Sequence, residues 1–450
     1  MQAEAAEKRR SSDTCAGRPM VRFRCSFGHV MMDVFRSRGW KEVGPEDQDW
    51  DVNWCDVSQL KEQYDHTFLQ DHQRISHFRN HYELSRKNML MKNLRRLKRH
   101  MEKSGSREEA ERCVICPTSF ELPSEYHMFV EEFRHSPRAI WIMKPAGKSQ
   151  GRGIFLTQRL KDVTEWKIKD KQFTPSFLAG DKDAALGPET YVVQRYIANP
   201  YLIGGRKFDL RLYALVSSFT PLKVWLYREG FARFSSAEFT TSQIEDNCIH
   251  LTNVAIQKHA LDYDPERGSK WSMRRLRRFL RARHGDAVVD TLIANINNVF
   301  IKALQSVQKI MINDKHCFEL YGFDILIDSD LRPWLIEVNS SPSLATTGQE
   351  DYRLKFALLD DTLHVVDVEG RLTGRELRVG GYDLLWNDGP VLPACSARSC
   401  HSSGGGEQRS VFLGCHNDRE QQLMEVLQSR GGKGRGRTAR PSTSVQHICQ

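Results

Sequence analysis

Residues 321–343 read YGFDILIDSDLRPWLIEVNSSPS. Two apolar runs flank Asp328-Ser329-Asp330-Leu331-Arg332-Pro333, a composition that favours a turn because Asp and Ser bond nearby backbone and Pro fixes φ. The spacing predicts an antiparallel hairpin centred on that turn, with Ile327 opposite Trp334, Ile325 opposite Ile336 and Asp324 opposite Glu337. Directly opposed residues stand about 5 Å apart on one face of a sheet. Side chains alternate along a strand, so Asn339 shares the face of Glu337. A single acid there would be an ordinary solvent-facing charge, but three polar groups converging on an apolar ribbon need another reason. Two neighbouring carboxylates repel unless a cation lies between them. Oxygen donors suit a hard ion such as Mg²⁺ (or Mn²⁺), which keeps water and phosphate oxygens in its remaining positions. Asp324, Glu337 and Asn339 are thus candidate metal ligands.

A metal that works with phosphate predicts a phosphate cradle. Residues 141–155, WIMKPAGKSQGRGIF, place Lys144 at the end of one strand and Lys148, Gln150, Gly151 and Gly153 in a turn before the next. Glycines let backbone N–H groups approach an anion and lysines neutralise it. The GKS at 147–149 is not a P-loop, because that motif requires glycine where Ile142 stands and a helix where GIFLT follows. A β-turn-β flap over phosphates fits better, with a plain surface turn as the alternative. In YVVQRYIANPYLIGGRKFDLRLYALV (191–216), Gln194, Arg195, Tyr196 and Ile197 leave a buried strand where backbone amides can read an adenine edge. Lys207, Asp209 and Arg211 alternate on one face of the next strand, which is either a site wall or an amphipathic outer face. Arg233, Thr252 and Asn253 are further polar positions beside apolar runs, and Asn253 alone would read as a turn former. His250, between Ile249 and Leu251, reads as a packed histidine rather than a base.

The chain has 450 residues, enough for two or three domains or subdomains with a large core. Strands near 21–25 and 50–56 and a helix near 28–38 make a small N-terminal α/β domain over 20–66. A central domain follows over 67–190, with helical patterns at 68–100, a polar loop at 104–112 and flap strands at 139–143 and 153–157. Residues 191–393 form the C-terminal domain with the metal hairpin, strands at 190–195, 208–217 and 222–228, and a long helix over 285–312. Residues 1–19 read as disordered. So do 394–450, where CSARSCHSSGGGEQRS and RGGKGRGRTARPSTS cannot bury enough surface to fold alone. No apolar run approaches the ~18 residues needed to cross a bilayer. The opening MQAEAAEKRRSSDT lacks a secretory apolar core, so a cytoplasmic chain is expected. The 11 cysteines are scattered, as free thiols are. The lone CxxC of Cys113 and Cys116 has no second pair at zinc spacing. A net charge of +9 favours an acidic partner. In WSMRRLRRFLRARH (271–284), Met273, Leu276 and Leu280 share one helical face and six arginines hold the rest, which suits an acidic peptide. No aromatic platform interleaves those arginines, so nucleic acid is disfavoured.

Taken in order over 20–390, RGW, DWDVNWCD, KPAGKSQGRGIF, QRYIANPYLIGGRKFDLRLYALV, HLTNVAIQK, GSKW and YGFDILIDSDLRPWLIEVNSSPSL resemble the blocks of the tubulin tyrosine ligase-like family. The resemblance implies an α/β ATP-grasp fold. It implies that Lys144, Gln150, Gly151, Gln194, Arg195, Tyr196, Ile197, Lys207, Phe208 and Asp209 bind ATP, and that Arg233 reaches the phosphates or the intermediate. Asp324, Glu337 and Asn339 would hold magnesium. Thr252 and Asn253 would also bind ATP and, with Lys270 and Gln150, orient the incoming amino acid, and Arg233 and Lys270 would be the catalytic residues.

The chain is most similar to the short polyglutamylase branch. Larger members carry a long basic helical segment after the core, where FALLDDTLHVVDVEGRL stands here. The short branch works in complexes, so accessory subunits are expected partners, beside free L-glutamate and the acidic tubulin C-terminal tail. The implied reaction phosphorylates a glutamate γ-carboxylate of tubulin with ATP, and the amine of glutamate then attacks the acyl phosphate. Such chemistry needs positioning and neutralised charge, not a Ser or Cys nucleophile. A glycine or tyrosine ligase is the alternative enzyme, although Lys270 offers a cation for a side-chain carboxylate. An inactive microtubule or ciliary scaffold is the alternative outside catalysis. The family implies a cytoskeletal location, at microtubules of a cilium, basal body or flagellum.

Overall fold

A computed structural model describes residues 14–15, 18–60, 68–165, 190–258, 270–391 and 411–428. Readings that fall on 1–13, 16–17, 61–67, 166–189, 259–269, 392–410 and 429–450 lie outside the described residues. Within the span read as disordered, Thr14–Cys15 pairs with Arg18–Pro19 in a short antiparallel ribbon.

The N-terminal unit holds β1 (Arg22–Cys25), α1 (Val30–Ser37), β2 (Lys41–Glu42), β3 (Val52–Trp54) and β4 (Arg74–Ile75). The four strands are parallel, in the order β2-β1-β3-β4. Val30, Met31, Val34 and Phe35 recur at helical spacing and bury the inner face of α1, with Phe35 stacked on Phe23 at 4.1 Å. β4 carries this sheet past residue 66, where the sequence suggested it would stop.

α2 (Lys87–Lys103) and α3 (Arg107–Arg112) follow. The polar loop expected at 104–112 is largely helix. Arg107–Glu111 and Glu108–Arg112 pair one turn apart, and Ala110 is buried. A small antiparallel sheet comes next, built from β5 (Ser119–Leu122), β6 (Trp141–Pro145), β7 (Phe155–Thr157) and β8 (Tyr191–Arg195) in the order β5-β8-β6-β7. The strand at 191–195, expected to open the C-terminal unit, sits in the middle of this sheet. α4 (Tyr126–His135) covers it through Phe129, edge-on to Trp141 at 5.2 Å.

The main sheet contains β9 (Arg206–Phe219), β10 (Leu222–Phe234), β11 (Lys270–Ser272), β12 (Glu319–Ile327), β13 (Pro333–Asn339), β14 (Arg378–Val379) and β15 (Tyr382–Asn387). The order is β13-β12-β9-β10-β15-β14, with β11 added beside β10, and the pairings are antiparallel. Alternation along β9 sets the plan of the molecule. Phe208, Leu210, Leu212, Ala214 and Val216 point into a core with α5 (Met273–His284) and α6 (Asp286–Gln308). On the other face, Tyr213 and Leu215 pack with α1 and α7 (Gln349–Val366). Lys207, Asp209 and Arg211 continue that second face, where they leave the apolar core for polar surroundings.

α6 is long and apolar enough, by length and composition alone, to cross a membrane. Its Ile296, Phe300, Leu304 and Val307 are instead buried, and Phe300 packs on Phe323 at 4.3 Å. On α5, Met273, Leu276 and Leu280 are buried as their spacing predicts. Of the six arginines there, Arg277 is buried and bonded to the Leu413 carbonyl, and Arg281 pairs with Asp286 at 2.9 Å. Only Arg274, Arg275, Arg278 and Arg283 remain exposed.

Part of the span 394–450, read as disordered, departs from that expectation, while 394–410 and 429–450 lie outside the described residues. Residues 411–428 lie against the body and end in α8 (Arg419–Gln428), with Val411 and Leu413 buried in the α5–α6 core. Two apolar residues beside a glycine turn supply an anchor that average composition hides. Cys113 and Cys116 are free thiols, as expected of a lone CxxC.

Candidate active site

The hairpin of β12 and β13 has the register that matters, reached by an unexpected route. At the turn, Ile327 faces Pro333, Leu326 faces Trp334 and Ile325 faces Leu335, one residue off the expected pairing. A bulge at Ile336 restores phase, and Asp324 then faces Glu337, Phe323 faces Val338 and Gly322 faces Asn339. The same row continues to Arg211 on β9, and the next row runs Asp209–Arg233–Lys270 across β9, β10 and β11.

Asp324 is the electrostatic hub. Arg211 Nη2 donates to its Oδ2 at 3.0 Å and Arg233 Nη2 at 2.7 Å, while Arg233 Nε donates to Asp209 Oδ1 at 2.8 Å. Burial opposes ionisation of Asp324, but the two guanidinium groups overcome it and hold the carboxyl well below the usual carboxylate range. Glu337 Oε2 lies 3.4 Å from Lys87 Nζ, and Asn339 Nδ2 lies 3.4 Å from Glu337 Oε1.

Among the described residues no three His, Cys, Asp or Glu side chains gather as a metal cluster. The candidate set is two carboxylates and an amide. That is too little charge for an all-protein cage, but it fits a hard ion that takes its other ligands from water and phosphate. One carboxylate is anionic at any physiological pH, and the Glu337 side chain keeps 19% of its surface open to solvent. The donor set therefore fits magnesium.

The row opens into a cleft between the small sheet and the main sheet. Lys144, Gly151, Gln194, Arg195, Tyr196, Ile197, Lys207, Asp209, Thr252, Asn253, Asp324 and Glu337 line it. Ile142, Ile154, Leu251, Leu326 and Ile336 supply apolar walls. At the flap tip, Gln150 has φ +62° and Gly151 has φ +77°, and a Cβ on Gly151 would stand 2.4 Å from Ile256 Cδ1. Only glycine brings the flap that close at low cost.

Two lysines in the cleft have neutral direct partners. Lys144 Nζ donates to Gln194 Oε1 at 2.7 Å. Lys207 Nζ donates to the Tyr196 hydroxyl at 3.0 Å and to the His250 carbonyl at 2.7 Å. Burial, aided by Lys87, pushes the Lys144 ammonium down to about 8. Burial, against the pull of Asp209, pushes Lys207 down to about 7. A polyphosphate would favour the charged forms and raise both values. Nucleotide binding at pH 8 is therefore expected to take up on the order of one proton, and almost none at pH 6, where both lysines are already charged. Calorimetry in buffers of different ionisation enthalpy checks the sign, and proton release at pH 8 would contradict it.

Four of the expected residues stand beside the cleft rather than in its lining. Gln150 sits at the flap tip, Arg233 bonds Asp209 and Asp324, and Asn339 lies two residues past Glu337. Lys270 Nζ pairs with Asp351 Oδ2 at 3.1 Å. Phe208 is a correction: it is buried on the opposite face of β9, packed with Tyr201 and Phe234, because it alternates with Lys207 and Asp209. His250 is buried with both ring nitrogens engaged, Nδ1 by the Tyr196 hydroxyl and Nε2 by the Gln243 carbonyl, each at 2.9 Å. The sequence reading missed Lys87, at the start of α2, for which no local pattern exists. It also missed Lys355, 3.0 Å from Asp351 on α7. That pair has helical i,i+4 spacing, but so do many surface pairs.

A model of the tubulin-tyrosine ligase family matches residues 61–373. The chain is 53% identical over 433 residues to a Rattus norvegicus protein named "Probable tubulin polyglutamylase TTLL9", covering 92% of this chain and 93% of that one. A Caenorhabditis elegans protein named "Probable tubulin polyglutamylase ttll-9" is 45% identical over 396 residues, with 88% and 91% covered. A Tetrahymena thermophila protein named "Probable alpha-tubulin polyglutamylase Ttll1" is 42% identical over 381 residues, with 80% and 91% covered.

Proposed function

Because the chain belongs to the tubulin-tyrosine ligase family, we propose that it is a tubulin polyglutamylase: an ATP-dependent ligase joining glutamate through isopeptide bonds to glutamate side chains of tubulin's acidic C-terminal tails. The observation that carries this reading is one cleft in which two buried lysines with neutral direct partners approach the facing carboxylates of Asp324 and Glu337. Asp324 already accepts from Arg211 and Arg233, and Glu337 pairs with Lys87, but the two lysines have only neutral direct partners, and a magnesium-bound triphosphate would pair with the lysines while its cation would take remaining carboxylate lone pairs.

In this reading Lys144 and Lys207 hold phosphate oxygens under the flap, and the chain segment Gln194–Ile197 reads the base. Asp324, Glu337 and Asn339 would hold Mg²⁺ (or Mn²⁺), whose chemistry when bound would be to neutralise phosphate charge. Arg233, fixed by Asp209 and Asp324, stands beside the acceptor carboxylate. Thr252 and Asn253 at the cleft, and Lys270 with Lys355 around Asp351, orient the free amino acid. The four exposed arginines of α5 draw the acidic tail by long-range, salt-sensitive attraction. The partners are tubulin, free L-glutamate and accessory subunits, and the place of action is the cytoskeleton, at microtubules of a cilium, basal body or flagellum.

A glycine or tyrosine ligase is the competing reading, and two lysines at one end of the site favour an amino acid with a side-chain carboxylate. Labelled glutamate, glycine and tyrosine are offered separately, with Mg-ATP and tubulin, to one preparation of the chain with its accessory subunits. Glutamate is expected to lead by at least about tenfold, since a site built to pair a carboxylate discriminates strongly against its absence. Preference for another amino acid overturns the assignment. Tubulin binding without any incorporation makes the chain a scaffold.

A further inference from the structure

The segment 411–428 lies beyond the family match at 61–373, yet it is bound into the body by charge, backbone and apolar contacts together. Phe412 N donates to Asp383 Oδ2 at 2.9 Å, and Gly414 N donates to the Arg228 carbonyl at 2.8 Å. Arg228 is buried and reaches both Asp383 and Asp418, the latter at 2.9 Å. Arg419, at the start of α8, donates from Nε to both oxygens of Asp361, at 2.9 and 3.0 Å, and from Nη2 to Asp360.

Asp360 and Asp361 belong to α7. Asp361 is fully buried, and burial raises its carboxyl to about 7 against the pull of Arg419. Its other partners, Gly381 N at 2.9 Å and the Tyr227 hydroxyl at 3.3 Å, are neutral. Asp360 is shared with Arg38 at the end of α1, at 2.7 Å. The same helix begins with Asp351, which accepts from Lys270 at 3.1 Å, from Lys355 at 3.0 Å and from Thr347 N at 3.0 Å. Ten residues separate Asp351 from Asp361, about 15 Å along one continuous helix.

We propose that residues 411–428 form a strap that fixes the position of α7, and that Arg419 is thereby a positioning residue for the Lys270–Asp351–Lys355 cluster that receives the free amino acid. The role assigned to that cluster rests on the ligase reading above; the mechanical part does not. Loss of Arg419 removes the bonds from the strap to both Asp360 and Asp361, which frees α7 to shift and slackens the lysines at its other end.

Two measurements on the full chain with its accessory subunits test this. Amide hydrogen exchange over 349–366 is expected to rise about tenfold in Arg419→Ala and to recover in large part in Arg419→Lys. Unchanged exchange there in Arg419→Ala overturns the proposal, whatever the enzyme does. In steady-state kinetics, KM for glutamate is expected to rise about fivefold while KM for ATP and kcat stay within about twofold. A fall in kcat with both KM values unchanged overturns it, because that marks a smaller folded fraction and no positioning role. Should Arg419→Ala fail to fold, Asp418→Asn loosens the strap through its partly exposed pair with Arg228. It is expected to raise KM for glutamate about twofold, and no change in that variant overturns the proposal. The expected rise of exchange in Arg419→Ala, together with a wild-type preparation that incorporates no glutamate, refutes the ligase reading and leaves the strap standing.

Discussion

Replacing Glu337 with glutamine is expected to lower glutamate incorporation by about 10³-fold while leaving the fold in place. The substitution keeps the shape of the side chain and removes one of the two carboxylates that would share a cation. Glu337 faces Asp324 across the hairpin and touches Lys87 at 3.4 Å, with its side chain partly open to water. The pair is mostly buried, with Lys87 12% and Glu337 19% exposed, but glutamine keeps an oxygen that can accept from Lys87, so the loss is about 1 kcal/mol. The melting temperature should therefore move by no more than a few degrees, on the order of the shift expected for about 1 kcal/mol. Turnover measured against Mg²⁺ concentration separates the causes. A lost ligand raises the metal requirement, whereas a disturbed acceptor site would not. Activity within about threefold of wild type would remove Glu337 from the metal site.

Asp324→Asn should strike the fold as hard as the chemistry. Asp324 is the only carboxylate that both Arg211 and Arg233 bond directly among the described residues, and all three side chains are buried. An asparagine leaves two buried guanidinium groups with Asp209 as their remaining anion, and Asp209 reaches only Arg233. Breaking one partner from a buried ion cluster costs about 3–5 kcal/mol. Denaturant unfolding of the two proteins side by side measures it, and a loss under about 1 kcal/mol would show that water already screens the cluster. The pH dependence has a definite sign. The Asp324 carboxyl is held below its usual value in the folded protein, so its contribution is present above the unfolded value near 4 and fades as pH falls through the folded one. Between pH 5 and 8 the wild-type advantage should be flat.

How far the sequence could be read depended on whether the information was local. The hairpin from Glu319 to Asn339, the alternation of Lys207, Asp209 and Arg211, and the apolar face of α5 each follow from neighbours along the chain, and the structure has all three. Phe208 went astray because a run of matching residues was taken whole, although period-two alternation turns the middle one into the core. Lys87 reaches Glu337 from 250 positions away, and nothing near Lys87 announces that approach. The buried Arg277 counted as surface charge because a helical wheel cannot know that the Leu413 carbonyl will cover it. The strap escaped for the same reason. Its anchors, Val411 and Leu413, are two residues in a stretch otherwise dominated by Gly, Ser and Arg.

The single surplus residue at Ile336 separates two things that a plain ladder would lock together. Counted from the turn without it, Glu337 would fall beside Phe323 and aim an acid at the oily interior. With it, the offset is absorbed midway, the acid faces its partner, and Ile336 itself becomes part of the wall of the cleft. One residue of offset at the outer loop is thus taken up before it reaches the acidic tip, and a regular ladder through Ile336 would turn Glu337 away from Asp324.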